Sequence, residues 1–471
     1  MFENILNSPR HRWFILGTVS IGTFMATLDS SIVNVALPTI STELKVDLVT
    51  IQWVVTAYLL TISSLLPLFG RIADLLGRKQ VYSLGFIIFT LGSALCGLSP
   101  GIWFFVGMRV LQAIGAAMLM ANSAAIVTAN FPGQERGQAL GIIGSVVALG
   151  GLAGPAIGGI LVGLTTWRAI FYINVPIGII GYAAARIILP KDILQHKHET
   201  FDYAGAVLFA TGMVSLLLAI NNGQDWGFTS LPVLTLLALA IVLLAGFGIT
   251  ELKIKHPMID LALFRIQPFL IGNITGLLQF TSMFAINILM PFYLQQMLGL
   301  NPLNVGLIMT AFPVVMAVTA PLSGRASDKF GPVILTTSGL FISALGLFYI
   351  SRLTATTAPL WAVPGLLLMG LGAGLFNSPN NSSVMGSVPK PKLGLAGGIS
   401  ALVRNVGMIM GISFAVTLFD NRQASALHAH LSATAAFMSG FSTVMLTAMA
   451  IAIIAGIISL NRKGYIAEEI K

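Results

Sequence analysis

Long apolar runs alternate with short polar segments along the sequence. A helix needs roughly 20 predominantly apolar residues to cross the hydrocarbon core of a bilayer. Runs of about this length recur from end to end, and we expect each to form a transmembrane helix. Fourteen are visible, near 13–37, 50–70, 80–98, 101–125, 138–163, 169–189, 204–221, 231–251, 268–292, 303–323, 332–350, 359–378, 394–418 and 440–460. The pattern predicts an all-α integral membrane protein with fourteen transmembrane helices.

Composition supports the same interpretation. Of the 471 residues, 56% are hydrophobic and only 9% are charged, whereas soluble domains carry about 25% charged residues. The formal net charge is +9, but the basic residues are spread through short loops rather than gathered on one segment. Such a distribution sets the orientation of a membrane protein. We therefore expect a lipid bilayer as the partner and no nucleic acid.

The distribution of Lys and Arg predicts which ends face the cytoplasm. If the N-terminus is cytoplasmic, 19 of the 25 Lys and Arg residues fall on the inner side, four fall outside and two lie within apolar runs. This asymmetry predicts that both termini lie in the cytoplasm. We expect the protein to lie in the cytoplasmic membrane of the cell. The first run is too long for a cleaved signal peptide and lacks a small-residue cleavage pattern before Pro38, so we expect it to be retained.

Short motifs recur at nearly constant spacing, which indicates an internal repeat. The segment 34–38, Asn-Val-Ala-Leu-Pro, returns as Asn-Ile-Leu-Met-Pro at 287–291. The pattern Gly-Arg-x-x-Asp-x-x-Gly at 70–77 returns at 324–331, and the three glycines at 141, 150 and 154 return 257 residues later, at 398, 407 and 411. Transporters are commonly built from such repeated halves. We predict two pseudo-symmetric six-helix halves, 1–190 and 268–471, with an inserted helix pair at 204–251.

The first run contains one ionisable residue at its centre, Asp29. A carboxylate there costs about 2.5–3.5 kcal/mol on insertion scales and is a functional-site candidate. At 1.5 Å per residue, Asp29 and Arg109 both lie roughly 12–14 Å below the outer surface. Gln112 is one turn deeper than Arg109 on the same helix face. We expect these three residues to form a network in which protonation of Asp29 discharges the pair. The alternative is a static structural ion pair.

The loop after the second run carries two glycines and a mixed charge cluster. We expect Gly70 and Gly77 to allow a tight turn, and Asp74 to oppose basic residues that include Arg78. The second copy keeps Gly324 and Asp328 but has Pro332 where the first has Arg78, which predicts a weaker interaction. The alternative is that the loop carries only the positive charge that sets topology.

The fifth run contains the string GLAGPAIGG. Gly150, Gly154 and Gly158 are spaced by four, so they share one helix face and allow another helix to approach closely. Pro155 removes a backbone hydrogen bond and permits a bend, and Gly159 completes the string. The alternative is generic packing of small residues.

The sixth run begins with the string WRAIFYINVPIG. Arg168 is predicted at its outer end, where Trp167 and Tyr172 suit the membrane interface. We interpret this stretch as a packing element at the extracellular rim.

Five motifs in order carry a family resemblance: LDSSIVNVALP at 28–38, GRIADLLGRKQ at 70–80, RVLQAIGAA at 109–117, GLAGPAIGG at 151–159 and WRAIFYINVPIG at 167–178. Together they resemble the major facilitator superfamily, and more narrowly the fourteen-helix drug:proton antiporters of the EmrB/QacA type. The resemblance covers essentially the whole sequence.

The resemblance implies a role for each motif. It implies a major facilitator fold and assigns Asp29 and Arg109 to proton coupling. The loop with Asp74 would be a cytoplasmic gate that bridges helices by charge pairing and stabilises the outward-facing state. The GP-x-x-GG string would mark an antiporter rather than an importer.

Substrate contacts are expected from flexible apolar and amide side chains, which suit a promiscuous site for small amphipathic or hydrophobic compounds. Such residues also serve as core or lipid-facing positions. The candidates are Met25, Asn34, Gln279, Met283, Asn287 and Asn377.

The remaining chemistry points away from an enzyme. The sequence has no Gly-x-x-x-x-Gly-Lys-Ser/Thr phosphate loop, so we expect the proton gradient, and no cofactor, to drive transport. The histidines fall in predicted loops or at the termini, and no metal site is expected. We predict a monomeric multidrug exporter working by proton antiport and alternating access. The alternatives are a dedicated exporter of one endogenous metabolite, antibiotic, lipid or siderophore, and a membrane sensor.

Overall fold

The computed structural model describes residues 11–132, 135–190, 203–223, 226–227, 229–251, 261–389 and 392–462. Within these ranges the fold is helical and contains no strand. The polypeptide divides into two compact units at residues 258–259. The predictions made for residues 1–10 and 463–471, including the cytoplasmic tail, lie outside the described residues.

The first unit contains eight labelled helices. They are α1 (His11–Leu44), α2 (Trp53–Leu76), α3 (Arg78–Gly97), α4 (Ile102–Asn130), α5 (Arg136–Leu164), α6 (Asn174–Ile188), α7 (Tyr203–Asn222) and α8 (Leu231–Glu251). Short helices Leu48–Ile51 and Ala169–Tyr172 precede α2 and α6. The predicted extra pair, α7 and α8, is packed together through Phe209 and Phe247, whose ring centroids lie 5.1 Å apart.

The second unit contains six labelled helices. They are α9 (Gln267–Phe292), α10 (Ala311–Phe330), α11 (Pro332–Ser351), α12 (Ala362–Gly386), α13 (Leu393–His428) and α14 (Ala433–Leu460). A π-helical turn, Tyr293–Met297, continues α9, and a short helix, Pro302–Met309, precedes α10.

The structure does not confirm fourteen membrane crossings. Over the described residues, twelve helical segments are long and apolar enough to cross a bilayer. The apolar stretches in α5 and α7 are shorter, at Leu149–Leu164 and Ala204–Ile220. Over the residues that the structure describes, these two stretches are therefore not counted among the twelve.

Glycines bring neighbouring helices into backbone contact in the first unit. A Cβ added at Gly92 of α3 would lie 2.6 Å from the backbone nitrogen of Gln112 on α4. A Cβ added at Gly115 of α4 would lie 2.7 Å from the carbonyl oxygen of Gly85. Helices α3 and α4 therefore pack closely, as small residues allow in membranes.

The second unit repeats this packing at equivalent positions. A Cβ at Gly339 of α11 would lie 2.6 Å from the Gly372 carbonyl oxygen on α12, and one at Gly346 would lie 3.0 Å from the Met369 nitrogen. Gly339 and Gly346 follow Gly85 and Gly92 by 254 residues, and Gly372 follows Gly115 by 257. These are the offsets found in the sequence motifs, so the repeat extends to helix pairs that the motifs did not include.

Candidate functional site

Asp29 lies near the middle of α1, which runs without interruption from His11 to Leu44 although it contains Pro38. Arg109 lies near the start of α4, which begins at Ile102. Both side chains have 0% relative exposure. The two helices thus bury one acid and one base side by side.

The three residues of the predicted network are in direct contact. Arg109 Nη1 donates to Asp29 Oδ2 at 2.5 Å and to Gln112 Oε1 at 2.5 Å. Gln112 Nε2 donates to Asp29 Oδ1 at 2.8 Å. The Gln112 amide therefore holds Asp29 Oδ1, and the Arg109 guanidinium holds Asp29 Oδ2.

Two further residues, which the sequence analysis did not select, complete the site. Asn174, at the start of α6, donates through Nδ2 to Asp29 Oδ1 at 3.0 Å and to Ser93 Oγ at 3.0 Å. Gln112 Nε2 donates to the same Ser93 oxygen at 2.8 Å. Asn174 lies in the WRAIFYINVPIG string, so its motif membership was the available signal. The stretch is therefore more than a packing element at the rim.

Arg109 is also held by the backbone and by aromatic rings. Its Nε donates to the carbonyl oxygen of Val54 at 3.0 Å. Its Cζ lies 4.1 Å from the ring centroid of Tyr58 and 5.7 Å from that of Phe171. A cation over an aromatic face is stabilised by the ring quadrupole, so the guanidinium has favourable contacts besides Asp29.

The surroundings of the pair make its charge state consequential. A buried ion pair is balanced only when its remaining donors and acceptors are satisfied. Here Asp29 accepts bonds from three donor groups, Arg109, Gln112 and Asn174. Among the described residues, neither Arg109 Nη2 nor Asn174 Oδ1 has a hydrogen-bond partner. The carboxylate of Asp29 is therefore an acceptor shared by several buried donors.

The glycine string of α5 packs directly behind this part of α1. An added Cβ at Gly150 would collide with Thr27 Oγ1, and one at Gly154 would collide with Ser31 Oγ. Ser31 Oγ donates to the Gly150 carbonyl oxygen at 3.0 Å. Pro155, Gly158 and Gly159 of the string are buried as well. The string therefore supports the turn of α1 that presents Asp29.

The first copy of the Gly-Arg-x-x-Asp-x-x-Gly motif forms its turn at Gly77, with φ +107°. The prediction that Gly70 also belongs to the turn is wrong, because Gly70 lies inside α2 and an added Cβ there meets nothing within 4 Å. Arg78 Nη1 donates to the Ala125 carbonyl oxygen at 3.1 Å, and Lys79 Nζ donates to that of Leu189 at 2.6 Å. These bonds tie the start of α3 to the ends of α4 and α6.

The second copy of the motif has the same local form. Its turn is at Gly331, with φ +77°, whereas Gly324 lies inside α10 and faces Ser378 of α12. The side chains of Asp74 and Asp328 lie outside the described part of the structure. The predicted charge pairing of the two gates therefore stays a prediction.

The string WRAIFYINVPIG is predicted to lie at the membrane interface, and the environments of its residues fit this prediction only in part. Trp167 is completely buried, and its ring centroid lies 5.2 Å from that of Phe105. Arg168 stacks on Trp167 at 4.4 Å and pairs with Glu43 at 2.5 Å. Tyr172 is 41% exposed, as an interfacial residue would be. Trp167 therefore packs against a buried aromatic ring and does not lie at an interface.

The predicted substrate residues have different environments. Met25 and Gln279 have 0% exposure, and Asn34 and Met283 have 7%. Half-buried positions are held by Asn287 and Asn377. Met25 and Gln279 present no surface to a ligand in this structure, so the other four are the stronger candidates.

Comparison with known proteins identifies the family. The family model described as Major Facilitator Superfamily matches residues 19–412. The riboflavin transporter RibZ of Clostridioides difficile (strain 630) is 40% identical over 87% of this sequence and 89% of its own length. The multidrug transporter protein MdtP of Bacillus subtilis (strain 168) is 33% identical over 88% of this sequence and 77% of its own.

Solved structures show the same fold. A bacterial homologue of the human lysosomal transporter Spinster, in an inward-facing and unoccupied conformation, aligns with a TM-score of 0.69 at 16% identity. The alignment covers 96% of this protein and 97% of that one. At this identity the likeness concerns the fold alone. Taken with the family match and the transporter relatives, it shows that the chain is a multi-pass membrane protein and belongs to the major facilitator superfamily of transporters.

Proposed function

We propose that this transporter exports small amphipathic or hydrophobic compounds in exchange for protons. The observation that carries the proposal is the ion pair of Asp29 and Arg109, fully buried between apolar helices. An ionisable residue is expensive in a membrane and marks proton relays and ion pathways. A purely structural contact between α1 and α4 could be made by apolar residues at lower cost.

The pair supplies a chemical basis for coupling. Protonation neutralises Asp29, so the attraction that holds Arg109 Nη1 at 2.5 Å is lost. A local change of charge can then bias a protein between two global states. In alternating access, protons enter from outside and bind Asp29. The protonated protein then favours the conformation that opens towards the cytoplasm. The driving force is about 1.4 kcal/mol per pH unit and about 2.3 kcal/mol per 100 mV for one charge.

The membrane arrangement is part of the proposal. We place α5 and α7 across the bilayer with the other twelve, giving the fourteen-helix arrangement of the EmrB/QacA type. Both ends of α5 adjoin helices that qualify as spans, and its glycine string packs along α1. With fourteen crossings, both termini lie in the cytoplasm, as the Lys and Arg distribution predicts.

A second candidate is the transport of one metabolite. Its support is the riboflavin transporter, which is 40% identical over most of both sequences, whereas the multidrug relative is 33% identical. The site residues do not discriminate between the two, because the network of Asp29 concerns protons rather than a substrate.

Proteoliposomes holding the full-length protein distinguish these functions. Riboflavin and the dye ethidium are both fluorescent, so each can be loaded and followed under an imposed pH difference. A multidrug exporter moves ethidium and releases protons in proportion. A dedicated transporter moves riboflavin alone.

The Asp29→Asn variant is the control for proton coupling. We expect it to lose substrate-dependent proton movement; because Arg109 is then buried without its acid, the amount of folded, inserted variant is measured alongside. Unchanged proton release by this variant would contradict the assignment of Asp29. Flux of either compound without proton movement by the unmodified protein would exclude antiport altogether.

A further inference from the structure

Asp29, Gln112, Ser93 and Asn174 form a closed ring of hydrogen bonds. Asp29 Oδ1 and Ser93 Oγ are the two acceptors, and the amide nitrogens of Gln112 and Asn174 each donate to both. The four N···O distances are 2.8, 2.8, 3.0 and 3.0 Å. All four side chains have 1% exposure or less, so water does not substitute for a bond that is lost.

This ring suits only an ionised carboxylate. An ionised Asp accepts hydrogen bonds, whereas a protonated one must also donate. When a proton arrives on Asp29, at least one of the groups that now donate to it has to become an acceptor. Otherwise two donors would face each other in a buried site, which is costly.

The partners of Asp29 differ in whether they can make this change. Arg109 has only donors and does not lose its proton. The Gln112 carbonyl oxygen is already engaged by Arg109 Nη1 at 2.5 Å and by the Cys96 thiol at 3.8 Å. Turning that amide would place its NH2 group against the guanidinium.

Asn174 has no such restriction. Its carbonyl oxygen is buried and has no hydrogen-bond partner among the described residues. A half-turn of the amide would therefore break no bond at that atom. It would place the oxygen where Nδ2 now lies, 3.0 Å from both Asp29 Oδ1 and Ser93 Oγ.

We propose that Asn174 is the positioning residue that accommodates the proton on Asp29 by turning its amide group. The proposal rests on the proposed role of Asp29 in proton coupling. In the ionised state Asn174 donates to Asp29 and to Ser93. In the protonated state its oxygen accepts from the Asp29 carboxyl O–H and from the Ser93 hydroxyl, which rotates.

The count of hydrogen bonds is the same in both states. After the half-turn, Gln112 Nε2 still donates to Asp29 Oδ1 and to Ser93 Oγ, each of which retains a lone pair. The ring keeps four hydrogen bonds with one more proton. The O–H bond on Asp29 is the one covalent bond that forms. The other ionisable groups that interact with Asp29 are Arg109, Tyr58 and Cys96, and the half-turn requires no change of protonation in them.

Infrared difference spectroscopy after a pH jump tests this on the full-length protein in lipid. Acidification should produce a carboxylic acid band that is absent in Asp29→Asn. Concurrently, the amide carbonyl band of an asparagine should shift to lower frequency, because a carbonyl without a partner gains two donors. Labelling asparagine with carbon-13 at its amide carbonyl separates this band from those of glutamine in the unmodified protein, so the result does not depend on a variant that folds.

Variants locate the band. Asn174→Leu should abolish the asparagine shift and lower the rate of proton-coupled exchange about tenfold, as expected for a buried donor left without an acceptor. The matched control is Asn122, which is 1% exposed and bonds only to the Met118 carbonyl oxygen of its own helix. Asn122→Leu should leave the shift intact.

The outcomes are distinct. A carboxylic acid band of Asp29 with no asparagine shift would overturn the role of Asn174 and leave the proposed function standing. Absence of the Asp29 band itself between acid and alkaline pH would overturn both. An asparagine shift that survives in Asn174→Leu would also refute the proposal, because another asparagine would then be responding.

Discussion

A charge in a membrane is acceptable when a partner of opposite charge shares its depth, and Asp29 and Arg109 satisfy this condition. Each has 0% exposure, and their closest atoms lie 2.5 Å apart. Removing one member of a buried pair leaves the other uncompensated, whereas replacing both can be nearly neutral. The two cases are separable by substitution.

Arg109→Gln should destabilise the protein by about 3–5 kcal/mol, seen as a lower midpoint of thermal unfolding in detergent. The double variant Asp29→Asn, Arg109→Gln should recover most of this loss, because neither charge is then buried alone. As a control, Arg168→Gln removes a pair whose members are 31% and 46% exposed, so the change should be about 0–1 kcal/mol. A double variant as unstable as Arg109→Gln would contradict the argument.

Individual residues also show which members of the site could be identified from the sequence and which could not. Counting residues from helix ends placed Asp29 and Arg109 at one depth, because ionisable residues in apolar runs are rare and a helix has a fixed rise. Asn174 escaped this reasoning. An amide is less costly in a membrane than a charge, and Asn174 reaches Asp29 across 145 residues of sequence, so only the three-dimensional packing reveals the contact.

At the scale of the elements, the glycine string of α5 and the turns at Gly77 and Gly331 require glycine for different reasons. The string needs small side chains because α1 approaches closely, and the turns need positive φ. The sequence marked Gly70 and Gly77 as equivalent members of one turn, but the helix extends through Gly70 and ends at Gly77. Spacing alone did not indicate where α2 ends.

Gly77→Ala should lower stability by about 1–3 kcal/mol, because φ +107° is strained for a residue with a Cβ. Gly331→Ala, at φ +77°, should behave similarly. The control is Gly70→Ala, which lies in a helix with open space around its Cβ and should be neutral or slightly stabilising. Thermal unfolding midpoints measure all three, and equal effects at Gly70 and Gly77 would refute the assignment of the turn.

Gly154→Ala should impair exchange because its Cβ would lie 2.6 Å from Ser31 Cβ and 2.9 Å from the Ile32 nitrogen. The substitution forces α1 and α5 apart beside Asp29, so proton coupling should be lost together with close packing. Gly151→Ala, where an added Cβ meets nothing within 4 Å, is the matched control. Dye-exchange rates in proteoliposomes compare the two, and equal rates would show that close approach of these helices is unnecessary.

At the scale of the whole molecule, the two units repeat helix packing but not chemistry. Gly85 and Gly115 in the first unit correspond to Gly339 and Gly372 in the second, with the same backbone contacts. The positions equivalent to Asp29, Arg109 and Gln112 are Ser282, Leu366 and Met369. Proton coupling is therefore expected from the first unit alone.

Ser282→Ala should leave the ratio of protons to exported molecules unchanged, whereas Asp29→Asn should abolish it. Ser282 is fully buried and bonds only within its own helix, to the Gln279 carbonyl oxygen at 2.9 Å, so its removal is mild. Substrate-dependent proton flux in proteoliposomes gives the ratio. A changed ratio in Ser282→Ala would show that the second unit also takes part in proton transfer.

The number of crossings could be predicted less well than the fold class. An all-helical transporter with an internal repeat followed from apolar runs and recurring motifs. The count depends on α5 and α7, whose apolar stretches over the described residues, Leu149–Leu164 and Ala204–Ile220, are shorter than the other twelve.

Cys96 is the one cysteine of the sequence and is completely buried, with its sulfur 3.8 Å from Gln112 Oε1. The unmodified protein therefore carries a single thiol beside the network of Asp29. A membrane-permeant maleimide reacts with the thiolate, so its labelling rate is divided by its rate with a free small thiol at the same pH; this ratio should rise once acidification removes the attraction of Asp29 for Arg109. The labelling rate then follows the opening of this part of the first unit, in the native sequence and without an introduced cysteine.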